Sequence, residues 1–75
     1  MEERILEIMR IVFETNDVNV NSTQENCSAW DSMAQLNLAL ELEEEFGISL
    51  EPEEISKMKS FDEIKNIVEK NLRHD

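Results

Sequence analysis

The sequence has little of what most catalytic and secreted domains are built around. It holds one cysteine (Cys27), one histidine (His74), one glycine (Gly47), one proline (Pro52), one tryptophan (Trp30) and no tyrosine. One cysteine excludes an internal disulfide, and one Cys with one His excludes a zinc site. A serine hydrolase is excluded too, because there is no G-x-S-x-G elbow and His74 lies in the terminal tail. The acids do not follow the alternating ligand pattern, with central glycine and closing glutamate, of a calcium loop. No apolar run approaches the ~20 residues that span a bilayer. The lone cysteine and the lack of a leader peptide suggest a reducing, cytoplasmic setting. Scarce glycine and proline, and few β-branched runs, favour helices over strands.

Basic residues are missing from the middle of the chain. Of 75 residues, 18 are acidic and 7 basic, for a net charge of −11. Residues 11–56 carry eleven acids and no Lys or Arg, while the two flanks carry seven of each. A nucleic-acid backbone needs a basic footprint, so nucleic acid is not an expected partner, nor is an anionic membrane. Basic protein surfaces are, met by electrostatic steering. Solubility alone does not require every base to be kept out of 46 consecutive positions.

What is present reads as one small, all-α, four-helix domain over residues 1–75. Ile5, Ile8, Met9, Val12 and Phe13 follow the stripe of a core-facing first helix over Glu2 to Glu14. A polar loop of about residues 16–30 follows, rich in turn-forming Asn16, Asn19, Asn21 and Asn26. Val18 and Val20 are expected to tuck onto the core from this loop. A loop this long in so small a domain tends to be functional. Asp31 is a fitting N-cap for a second helix that runs to Phe46 and stops at Gly47. Pro52 suits the first position of a short third helix reaching about Lys57. Ser60-Phe61-Asp62-Glu63 forms a capping box for a last helix, with Phe61, Ile64, Ile67, Val68 and Leu72 at helical spacing. Lys65, Lys70 and Arg73 suit the C-terminal end of its dipole.

Ser32 opens the second helix, where unpaired N–H groups and the positive end of the dipole favour an anion. No general base is placed to activate it, so the sequence points to a modified serine and not to a catalytic one. The second helix carries two apolar stripes at about 100° per residue. Leu38, Ala39, Leu42 and Phe46 fall on one side and are read as core. Met33, Leu36 and Leu40 fall nearly opposite, beside Asn37 and Glu44. That second stripe is either core between neighbouring helices or a partner-binding strip inside an acidic rim. Glu41 with Glu44, and Glu41 with Glu45, are like-charge neighbours costing roughly 0.2–0.5 kcal/mol per pair. They also crowd the negative end of the dipole. A sequence tuned only for stability would place lysine there.

Together these features resemble the acyl carrier protein family, over nearly the whole chain. Asp31-Ser32-Met33 is similar to the family's Asp-Ser-Leu attachment motif. Leu42-Glu43-Glu44-Glu45-Phe46-Gly47-Ile48 is similar to its Leu-Glu-Glu-Glu-Phe signature, at the matching distance downstream. The resemblance implies a non-enzymatic, monomeric carrier with 4′-phosphopantetheine attached to Ser32, beside Asp31, by a phosphopantetheinyl transferase using coenzyme A. The arm's thiol would hold acyl groups as thioesters for fatty-acid, polyketide or related specialised biosynthesis. Met33, Leu36, Asn37, Leu40, Glu41 and Glu44 would meet acyl-transferring or acyl-modifying enzymes through basic docking surfaces. A thin core could also enclose part of an apolar chain between helices.

Three positions depart from the common fatty-acid-synthesis pattern. Trp30 stands where a small or aliphatic residue is usual; Ala34 and Asn37 stand where acids are frequent. These departures favour a specialised stand-alone carrier, and the Met33 form of the motif also resembles D-alanyl carrier proteins. A reading of another class is an unmodified acidic interaction module, which gives Ser32 no role. Trp30 and Cys27 are read as packing residues. Divalent cations are expected to gather loosely near Glu41, Glu44, Glu51 and Glu54, and magnesium or calcium to raise the melting temperature beyond what matched ionic strength achieves.

Overall fold

The computed structural model describes residues 1–73, so His74 lies outside the described residues. Four helices follow one another: α1 (Glu2–Phe13), α2 (Ser32–Phe46), α3 (Pro52–Ser56) and α4 (Phe61–Leu72). The all-α bundle expected from the periodicity is the architecture found. α2 is its axis, packing against α1, α3 and α4. Ile5, Met9, Leu38, Leu42, Met58, Ile64 and Val68 are completely or almost completely removed from solvent at the centre.

The ends of the helices are set by local chemistry. Asp31 caps α2, its side chain accepting from the Ala34 N–H at 2.8 Å. Gly47 ends α2 with φ 63°, a left-handed conformation that glycine adopts without strain. Glu14 ends α1 in the same conformation at φ 53°, where glycine is normally preferred. α1 therefore closes one residue before the expected Glu14. The Ser60 hydroxyl oxygen accepts from the Glu63 N–H at 3.1 Å, which is the expected cap. The Glu63 carboxylate takes the Ser60 hydroxyl at 3.3 Å. A reach-back not anticipated for α3 occurs at Glu54, whose carboxylate accepts from the Glu51 N–H at 3.0 Å.

The long loop between α1 and α2 is ordered by its own polar side chains. Asn19 Oδ1 takes the Asn21 N–H at 2.7 Å and Asn26 Oδ1 takes the Thr23 N–H at 2.8 Å. Ser22, buried, accepts from the Asn19 N–H at 2.9 Å. An isolated antiparallel bridge, Thr23 with Ser60, pins the loop to the segment before α4. Its bonds run from Gln24 N–H to the Lys59 carbonyl at 2.8 Å and from Phe61 N–H to the Ser22 carbonyl at 2.9 Å. Val18 tucks onto the core as expected, whereas Val20 is exposed. Val20 falls inside the turn that Asn19 closes onto Asn21, between buried Val18 and buried Ser22. Trp30 is buried, its ring centroid 5.0 Å from that of Phe13. Cys27 is half-buried against the core. Leu6 joins the core although it was outside the expected stripe, Val12 and Ile67 are only partly buried, and Leu72 is exposed.

Candidate functional site at the start of the second helix

Ser32 is the first residue of α2 and is exposed. Asp31 directs the helix start: its carboxylate holds the Ala34 N–H and its carbonyl the Gln35 N–H. The first satisfies one orphan donor of the helix, and the second is its first regular i→i−4 bond. None of the hydrogen bonds among the described residues engages the N–H of Ser32 or Met33, or the Ser32 hydroxyl. The site therefore offers a free hydroxyl beside two free N–H groups at the positive end of a 15-residue helix. A phosphodiester on Oγ fits this geometry without displacing any protein bond.

A cleft of about 370 Å³ opens beside Ser32. Gln35 and Leu36 supply one wall from the same face of α2, Ile55 and Ser56 the other from α3, and Gln24 and Lys59 the rim. Of these only Ser32 and Leu36 were singled out from sequence. Gln35 was readable in principle, because position i+3 shares the face of Ser32. Gln24 and Lys59 arrive through the loop bridge, a long-range pairing that local pattern does not encode.

The two stripes of α2 part company in the structure. Leu38, Ala39 and Leu42 are buried, and Phe46 is half-buried. Met33, Leu36 and Leu40 are 71%, 54% and 63% exposed, which rules out the core reading of that stripe. Asn37, Glu41 and Glu44 are exposed around them. Every residue expected to meet partners therefore lies on open surface, along the length of α2 from Ser32 onward.

The acidic belt is less uniform in space than in sequence. Arg4 of α1 reaches Glu45 at 2.7 Å, so one of the crowded acids has a partner. Their hydrogen bond holds the Glu45 carboxyl below its ordinary value and the Arg4 guanidinium above its own. Lys65 and Glu2 pair likewise at 2.6 Å, with Glu2 lowered and Lys65 raised. Glu54 is lowered chiefly by the Glu51 N–H, then by the Asn71 amide and by Lys70 and Lys57. With both oxygens of Glu54 engaged by Glu51 and Asn71, its carboxylate is poorly available to a cation. Among the described residues no group of three or more Cys, His, Asp or Glu is placed to hold a metal ion.

No protein-family model matches the sequence, and no curated protein does. Among solved structures, the chain is similar to a holo acyl carrier protein from Geobacter metallireducens. The two share 25% identity and superpose with a TM-score of 0.83, over 99% of this chain and 93% of that one. The protein has the fold of that acyl carrier protein. None of the described helices is long and apolar enough to cross a membrane.

Proposed function

We propose that the protein is an acyl carrier whose Ser32 bears 4′-phosphopantetheine. The observation that carries this reading is the exposed, unengaged Ser32 hydroxyl at the capped start of α2, in a chain with the acyl carrier fold. In the attachment step the Ser32 oxygen bonds to the phosphorus next to pantetheine. The pyrophosphate link of coenzyme A breaks, the adenosine 3′,5′-bisphosphate leaves, and the serine proton passes to the transferase. Once in place, the arm supplies a terminal thiol that carries an acyl group as a thioester. The chain's own residues hold and present it. The Ser32 and Met33 N–H groups would hold the phosphate, Asp31 fixes the helix start, and a tether of this kind would raise the cargo's concentration at a partner's active site.

The partners in this reading are a phosphopantetheinyl transferase and acyl-transferring or acyl-modifying enzymes with basic docking surfaces. Met33, Leu36 and Leu40 are the apolar anchors, and Asn37, Glu41 and Glu44 the polar rim. The pathway is fatty-acid, polyketide or related specialised acyl synthesis in the cytoplasm, served by a monomer. Labelling with a fluorescent coenzyme A derivative and a broad-specificity transferase tests the assignment. Fluorescence on the wild type and none on a folded Ser32→Ala variant supports it. Equal function of Ser32→Ala in cells would instead favour an unmodified acidic interaction module.

A further inference from the structure

We propose that Gln35 locks the seam between α2 and α3, keeping a group carried on Ser32 outside the bundle. The cargo is then a short, oxygen-bearing acyl group and not a long alkyl chain. The inference rests on the carrier reading above and names its substrate class.

The Gln35 amide bonds in two directions. Its Nε2 donates to the carbonyl oxygen of Ile55 in α3. Its Oε1 accepts from Trp30 Nε1 at 3.3 Å. Trp30 is 2% exposed and stacks in a tilted arrangement on Phe13 of α1. One side chain thus joins α2 to α3 and, through the indole, to the long loop and α1. Gln35 lies one turn along from Ser32 and lines the same cleft. It stands at the seam an alkyl chain would have to part.

Behind that seam the core is filled. Leu38, Leu42, Met58, Ile64 and Val68 are fully buried, and close-packed interiors do not admit a chain without rearrangement. Parting α2 from α3 breaks the Gln35–Ile55 bond. It leaves a primary amide and the Ile55 carbonyl facing hydrocarbon, an unfavourable state for buried polar groups. In the open cleft a cargo meets Gln24, Ser56 and Lys59 instead. These offer amide and hydroxyl groups and a cation to a carbonyl, hydroxyl or carboxylate oxygen. A cationic aminoacyl group gains nothing from Lys59.

The test loads the full chain with acetyl-, octanoyl- and β-hydroxybutyryl-coenzyme A through a transferase. Hydroxylamine, which splits thioesters, is then added, and cleavage is timed by intact mass. Melting temperatures are read on the same samples. The acetyl and octanoyl thioesters are expected to cleave at rates within about twofold of each other, and the β-hydroxybutyryl thioester, held by the cleft, about fivefold more slowly; a β-hydroxybutyryl form that is not slowed overturns the assignment of an oxygen-bearing cargo. The octanoyl form is expected to melt no higher than the acetyl form. Gln35→Leu removes both bonds and presents hydrocarbon at the seam, so its octanoyl thioester is expected to be protected about fivefold or more. Octanoyl protection of that size in the wild type overturns the lock, and the wild-type series decides this even if Gln35→Leu fails to fold. Failure of Ser32 to accept any derivative, while a known carrier is loaded in the same tube, removes the carrier reading and this inference with it. Loading followed by chain-length-dependent protection removes this inference alone.

Discussion

Leu38 and Leu40 lie two residues apart on α2 and provide a direct comparison of core and docking roles. Leu38 is completely buried, while Leu40 is 63% and Leu36 54% exposed. Leu38→Ala should cost about 2–5 kcal/mol, the range for truncating a buried leucine. A chain of this size has a total stability of roughly 4–11 kcal/mol, at about 0.05–0.15 kcal/mol per residue. The variant is therefore expected to lose a large share of its stability. Full burial of a leucine contributes about 1.5–3 kcal/mol. With under half of that surface covered, Leu36→Ala and Leu40→Ala should each lose no more than about 1 kcal/mol, partly offset by alanine's better helix propensity. In melting temperature that is under about 8 °C, against some tens of degrees for Leu38→Ala. Thermal unfolding followed by far-UV circular dichroism separates the two. A transferase assay on the same variants adds the functional half. Leu36→Ala and Leu40→Ala should lower kcat/KM by about 5- to 30-fold, the equivalent of losing 1–2 kcal/mol of an interface anchor. The reasoning fails if Leu40→Ala destabilises the fold as severely as Leu38→Ala, or if both surface variants are modified at the wild-type rate.

Four further expectations follow from particular contacts. Asp31→Ala should cost about 1 kcal/mol through loss of the α2 cap, while Asp31→Asn keeps it; equal losses by chemical denaturation would show that charge and not capping matters. Gly47→Ala should lower stability and Glu14→Gly raise it, each by about 0.5–1 kcal/mol, because both positions are left-handed; a Cβ at Gly47 meets nothing within 4 Å, so backbone strain is the only cost. Glu54 has a folded pKa below its ordinary 4.5, so its contribution is complete above that value and disappears as pH falls through the depressed one. Glu54→Gln should flatten the fall in melting temperature below that pH, and an unchanged acid profile would contradict the reach-back bond. Contrary to the expectation from the clustered acids, magnesium should raise the melting temperature no more than sodium chloride of equal ionic strength, since no metal cluster forms among the described residues; a specific rise would contradict this and restore the expectation from sequence.

Much of this was legible in the sequence because it is written in short-range pattern. Asp31, Gly47, Pro52 and Ser60 mark helix ends through backbone chemistry that acts within a few residues, and each marks one in the structure. The opposed stripes of α2 were also visible, and the one through Leu38 and Leu42 was read correctly as core, but whether the other was covered too was not. That depended on where α1, α3 and α4 pack, and periodicity holds no such information. Val20 was misplaced for a similar reason, since the asparagine turns around it were recognised as turns without their direction. The cleft beside Ser32 was hidden more deeply. Its rim is assembled by the Thr23–Ser60 bridge, and its Gln35–Ile55 bond joins residues 20 positions apart. Glu45 looked unrelieved in sequence because its partner, Arg4, lies 41 residues away.

The most direct test of Ser32 as the attachment site is intact and fragment mass of the wild-type protein. It is incubated with coenzyme A, magnesium and a broad-specificity phosphopantetheinyl transferase, with a known carrier in the same tube. The expected result is one added phosphopantetheine, with every fragment that carries it containing Ser32. An unmodified, folded protein beside a fully modified control, or an addition on any other residue, would contradict it.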